Sequence, residues 1–102
     1  MRFAHIYVLR DPQTLDVRYV GKTIQPLRDR LGAHMRRCKQ LRTHRDCWIK
    51  GLLDAGIKPI IEEIETASGD WETRERFWIA YYRKHSRSLT NQTEGGGGRS
   101  GF

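Results

Sequence analysis

Glu75 stands where a carboxylate is hard to accommodate. Trp71, Trp78 and Tyr82 recur at helical spacing on one stripe, and Glu75 fills the step between them. A carboxylate on an apolar stripe needs a cation, a metal ion or hydrogen-bond donors to offset its desolvation. The plainer alternative is a glutamate at the edge of the stripe, reaching solvent or an arginine. Arg30 and His34 make a second unusual pair. They are four residues apart, so they share a helix face, close to the stripe of Leu27 and Leu31. Each disfavours charge on the other, which makes sense with an anion between them, or more simply as two members of a basic face. Tyr7 and Tyr19 fall on neighbouring predicted strands, where two aromatic rings side by side need no function beyond packing. His34, Cys38, His44 and Cys47 offer two pairs of zinc-ligand type, but their spacing matches no common finger and Cys38 already fits an apolar stripe.

The elements that must position these residues follow from periodicity. Residues 3–9, rich in β-branched and aromatic side chains, predict a strand, and turn chemistry follows at Asp11 and Pro12. Residues 17–20 predict a second strand, closed by Gly21, and a hairpin between the two brings Tyr7 opposite or near Tyr19. Pro26 opens a helix whose apolar positions Leu27, Leu31, Met35, Cys38 and Leu41 recur at intervals of three and four. Residues 43–46 break it, and Trp48, Ile49, Leu52 and Leu53 form a short second helix stopped by Gly56. Residues 59–65 read as a third strand. A third helix runs from about Trp71 to Lys84 after caps at Ser68, Gly69 and Asp70. The order ββααβα places a small antiparallel or mixed sheet against helices, which predicts an α+β domain. Domain sequence ends near residue 94, and the glycine-rich stretch 95–102 reads as a flexible tail or a linker to a missing second domain.

Charge narrows the partner. Nineteen lysines and arginines against twelve acidic residues leave the 102-residue chain at +7, which favours a polyanion. Arg28, Arg30, Arg36, Arg37, Lys39, Arg42 and Arg45 crowd into one stretch opposed by Asp29 alone. Such a patch binds a phosphate backbone through counterion release without reading sequence. The same stretch is amphipathic, but Leu27, Leu31 and Leu41 are needed for the core of so short a chain, which argues against a membrane-surface role. No apolar run is long enough for a signal peptide or a transmembrane helix, and two cysteines are too few for a disulfide framework. These features predict a cytoplasmic, DNA-associated protein.

Taken together and in order, these residues resemble the GIY-YIG nuclease superfamily. His5-Ile6-Tyr7 stands where the family has Gly-Ile-Tyr, and Tyr19-Val20-Gly21 followed by Lys22-Thr23 where it has Tyr-Ile-Gly. Arg30 and His34 match the family's helical Arg and His, Glu75 before Trp78-Ile79 its metal-binding Glu, and Asn91 its Asn before a glycine-rich end. Glu72 is a rival carboxylate but lies off the Trp71/Trp78 stripe. The resemblance implies a three-stranded antiparallel sheet flanked by helices, and hydrolysis of DNA phosphodiester bonds with one divalent ion per site, Mg²⁺ or Mn²⁺, held by Glu75. It implies that Tyr7 orients or deprotonates the attacking water, with Lys22, His34 and Arg30 lowering its pKa. Arg30 neutralises the phosphate, and Tyr19 and Asn91 position it and brace the site. The implied products carry a 5′-phosphate and a 3′-hydroxyl. The expected partner is double-stranded or branched DNA, bound by Arg28, Arg36, Arg37, Lys39, Arg42 and Arg45 with weak sequence preference, since no base-reading element is evident. The alternative is a non-catalytic basic DNA-binding module of a larger protein.

Overall fold

In the computed structural model, which describes residues 3–92, the chain forms β1 (Phe3–Arg10), β2 (Val17–Thr23), α1 (Leu27–Arg37), α2 (His44–Asp54), β3 (Ile60–Ser68) and α3 (Trp71–His85). The expected glycine-rich stretch lies outside the described residues. The strands make one antiparallel sheet in the order β2-β1-β3. This is the predicted α+β class and element order.

The sheet has a helical layer on each face because β1 is apolar on both. Ile6 and Val8 join Val17, Val20, Ala67 and Ile79 on one side, with Trp71, Trp78 and Tyr82 of α3 packed over them. Tyr7 and Leu9 join Tyr19, Cys38 and Ile49 on the other, covered by Leu27, Leu31 and Met35 of α1 and Trp48 and Leu53 of α2. Truncating Ile6 or Ile79, both essentially inaccessible, removes about 2–5 kcal/mol at such well-packed positions.

Four boundaries differ from the sequence reading. Gly21 does not close β2. The strand continues through Lys22 and Thr23, which pair with Ile6 and His5 of β1. The first helix ends at Arg37 instead of reaching Leu41. A 3-10 turn follows at Cys38–Gln40, and Leu41 then takes a left-handed conformation with φ 52°. Leu41 is consequently 54 % exposed and is not a core residue. The segment expected to break the helices instead begins α2. Thr43 accepts the Asp46 amide at 3.0 Å through its hydroxyl, and the Asp46 carboxylate accepts the Arg42 amide at 3.1 Å. This arrangement is close to a capping box, legible in Thr43 followed three residues later by an acid. β3 also runs past Glu65 to Ser68, and α3 starts on a cap from Asp70 to the Thr73 amide.

Candidate active site

Tyr7, Tyr19, Arg30 and His34 converge on the sheet face covered by α1 and α2. Tyr7 comes from the central strand, Tyr19 from β2, and the helical spacing of Arg30 and His34 turns both toward the Tyr7 hydroxyl. That hydroxyl lies 2.6 Å from His34 Nε2 and accepts from Arg30 Nε at 3.2 Å. The group between Arg30 and His34 is therefore a phenol oxygen, where charge alone suggested an anion. Tyr19 completes the cluster, its ring 6.3 Å from that of Tyr7 and 5.4 Å from the His34 imidazole.

Gly21 makes room for this. It pairs with Tyr7 across the strands, and a Cβ on it would lie 2.5 Å from the Tyr7 hydroxyl and 2.8 Å from the Tyr19 ring. No side chain fits. Glycine here serves the close approach of a phenol to the strand backbone, so its signal in the sequence was a site requirement and not a strand end.

Burial and charge set the protonation states. His34 is held neutral, its pKa pushed down to about 2 by desolvation and by the cations Arg45, Arg30 and Arg37. Burial, reinforced by Tyr19, raises the Tyr7 phenol well above its ordinary value, and Arg30 and Arg45 offset this only in part. The sequence-based expectation that cations lower the Tyr7 pKa is thus reversed: desolvation wins. Lys22 takes no part in it, because its ammonium is bound elsewhere. With the imidazole neutral and the phenol protonated, Tyr7 donates its hydrogen to His34 Nε2 while Arg30 donates to the Tyr7 oxygen.

Lys22 and Glu75 form a second group on the opposite face. Lys22 pairs with Ile6, whose side chain faces α3, and its Nζ donates to Glu75 Oε1 at 2.9 Å. Both side chains are buried. The anticipated desolvated carboxylate is therefore present and has a cation beside it. The two groups sense each other near β2: Glu75 is among the charges that raise the Tyr19 phenol, behind desolvation.

Asn91 acts on the strand itself. Its side-chain amide accepts from the Val20 amide and donates to the Val20 carbonyl, both at 2.9 Å. Thr90 adds two bonds to the Arg18 carbonyl. The residues after α3 thus cover the free edge of β2, and Asn91 braces the site through backbone.

The basic patch divides in two. Arg28, Arg36, Arg37, Lys39 and Arg42 are exposed. Arg36 and Arg37 line a groove of about 470 Å³ that also takes in Arg30, Thr23 and Gln25, so the groove leads off from the buried cluster. Arg45 is different. Expected in the solvent-facing patch, its side chain is only 15 % exposed and lies over the Tyr19 ring at 4.9 Å. The sequence carried no signal for this beyond its place near the start of α2.

Among the described residues no three His, Cys, Asp or Glu side chains gather as a metal cluster. His34 and Cys38 do not converge, since the ring faces Tyr7 and the thiol donates to the Met35 carbonyl. No described helix is long and apolar enough to cross a membrane. No protein-family model matches the chain, and neither a curated protein nor a solved structure matches it.

Proposed function

We propose that this chain is a metal-dependent endonuclease that hydrolyses DNA phosphodiester bonds, of the GIY-YIG kind that its sequence resembles. The observation that carries the reading is the Tyr7–His34–Arg30 hydrogen-bonded cluster, set over Gly21 of the strand whose next residue, Lys22, holds Glu75. Residues far apart in sequence supply a proton acceptor, a cation and a carboxylate around one short stretch of strand.

Glu75 suits a hard divalent ion in donor chemistry, since Mg²⁺ accepts a single carboxylate and keeps water in its other positions. Such an ion, when bound, supplies charge stabilisation at the phosphate and the leaving oxygen. It would share Glu75 with the Lys22 ammonium, so binding is weak until a phosphate adds negative charge. The chain's own residues handle the proton. A water attacking phosphorus passes its proton to the Tyr7 oxygen as Tyr7 hands its own to His34 Nε2. His34 is a poor acceptor while burial, Arg45, Arg30 and Arg37 depress its pKa. A phosphate close to those arginines offsets their charge and restores its basicity. Arg30 neutralises the charge growing on phosphorus. The P–O3′ bond breaks and O3′ takes a proton from solvent water, leaving a 5′-phosphate and a 3′-hydroxyl. The exposed arginines and Lys39 hold the DNA backbone with little sequence preference.

Two observations favour a binding-only module instead. Tyr7 is fully buried in the unbound chain, and Glu75 is already paired with Lys22. Incubation with supercoiled plasmid in Mg²⁺, beside an EDTA control, decides between the readings. The endonuclease reading expects metal-dependent nicking that disappears in Glu75→Ala and falls at least about 100-fold in Tyr7→Phe. Tight plasmid binding without nicking, in Mg²⁺ and in Mn²⁺, selects the binding module.

A further inference from the structure

β1 carries a histidine where the Gly-Ile-Tyr pattern has its first glycine. Two residues apart on one strand, His5 and Tyr7 share a sheet face at a spacing of about 7 Å, the face that α1 and α2 cover. Across the sheet His5 pairs with Thr23 on β2 and with Thr66 on β3. Thr23 lines the groove that takes in Arg30, Arg36 and Arg37, so His5 stands one strand away from that groove. A shift in register between Ile6 and Tyr7 sets Glu63 opposite Tyr7. From there Glu63 Oε2 lies 3.0 Å from His5 Nδ1 and also accepts the Thr66 hydroxyl. The bonds from Thr66 and His5 hold the Glu63 carboxyl below the usual carboxylate range. An ionised carboxylate only accepts, so Nδ1 carries a hydrogen and the nitrogen left to react is Nε2. Nε2 has no partner among the described residues. The two side chains are 35 % and 34 % exposed, open enough for a substrate oxygen to reach the ring.

In the nuclease reading the attacking water's proton goes to Tyr7 and His34, and the departing O3′ is left to solvent. The attacking and departing oxygens lie on opposite sides of phosphorus. An acid for O3′ must therefore stand apart from Tyr7 on the same face, as His5 does. We propose that His5, oriented by Glu63, is the general acid of the cleavage and donates from Nε2 to the departing 3′ oxygen. As the P–O3′ bond breaks, its electron pair stays on O3′, which takes the Nε2 proton. The neutral imidazole regains a proton from solvent, and Glu63 keeps its charge throughout. This rests on the nuclease reading for its reaction.

The test uses the full chain in Mn²⁺ and follows cleavage at one bond of a DNA duplex, which carries either the natural bridging 3′ oxygen or sulfur in its place. A 3′ thiolate leaves without a proton, so its departure needs no acid. His5→Gln should cut the oxygen bond about 100-fold more slowly than wild type and the sulfur bond at nearly the wild-type rate. Glu63→Gln should lose about 10-fold at the oxygen bond alone. Imidazole added to His5→Gly should restore part of the oxygen-bond rate and leave the sulfur bond unchanged. Each variant is compared with itself on two bonds, so a lowered melting temperature leaves the comparison intact. Equal losses on the two bonds in His5→Gln overturn the proposal and make the residue structural. Oxygen-bond cleavage by His5→Gln within about threefold of wild type also overturns it, since general acids contribute more than this. In both cases wild type still cuts, and the nuclease reading stands. A wild-type chain that cuts neither bond removes both.

Discussion

The hydroxyl of Tyr7 has two partners and no solvent, so its removal is felt twice. Tyr7→Phe leaves His34 Nε2 and Arg30 Nε facing a hydrocarbon edge, and buried polar groups stripped of a partner cost about 1–3 kcal/mol. A lowered melting temperature should accompany the lost nicking; an unchanged one would mean that water replaces the hydroxyl. His34 makes a second prediction. Its folded pKa lies far below the ordinary value of about 6.5, so the unfolded chain takes up a proton that the folded chain refuses. Stability should be unaffected by this group above pH 6.5 and should fall as the pH drops from 6.5 toward 2. In His34→Gln the melting temperature between pH 7 and pH 5 should fall less steeply than in wild type. At this scale the sequence was informative about identity and poor about state. Arg30 and His34 could be paired from their spacing, because helical geometry is regular. The direction of the Tyr7 shift could not be read, because it depends on desolvation that only the packed site creates.

β2 is the element on which the site depends, and two of its positions can be tested separately. Gly21→Ala drives a methyl group into the Tyr7 phenol. With no room to relax, overpacking of this kind costs about 1–3 kcal/mol, and the phenol must leave its place between Arg30 and His34. The variant should fold, melt lower and fail to nick; full nicking would show that the close approach is dispensable. At Val20 the clasp from Asn91 uses one donor and one acceptor. Asn91→Asp puts a carboxylate oxygen against the Val20 carbonyl, so it should be less stable than Asn91→Ala by thermal melting, although it is closer in shape. The periodicity of the sequence located the three strands and three α-helices of the described residues, because each alternates or repeats clearly enough. It misplaced the ends of β2 and α1. Gly21 looked like punctuation while serving a side chain directly opposite it on the neighbouring strand, and the apolar stripe of α1 continued on paper through Leu41, past the point where the backbone turns.

Across the whole molecule, charge separates into an outer and an inner set. Arg28, Arg36, Arg37, Lys39 and Arg42 are exposed and screened, whereas Arg30 and Arg45 are drawn against the aromatic cluster. If the outer five each meet a phosphate, log Kd for duplex DNA should change with log salt by a slope of about 4.5, and Arg36→Ala with Arg37→Ala together should reduce it by about 2. A slope indifferent to that double substitution would place the DNA elsewhere. Net charge alone anticipated a polyanion; it could not sort seven neighbouring cations into two roles, because the sorting follows from the turn after α1 and the cap on α2.

The clasp on β2 has a mechanical side. Asn91 and Thr90 grip Val20 and Arg18, and the residue after Val20 is the glycine beneath the Tyr7 phenol. Whatever is joined downstream of Gln92 therefore hangs from the strand that shapes the cluster and, through the bond that Gln92 Oε1 accepts from the His44 amide, from the start of α2, so tension on that tether loads the Val20 edge and the α2 end together. Pulling from this end, by a fused domain or an optical trap, should disarm the cluster at forces well below those that unfold the sheet.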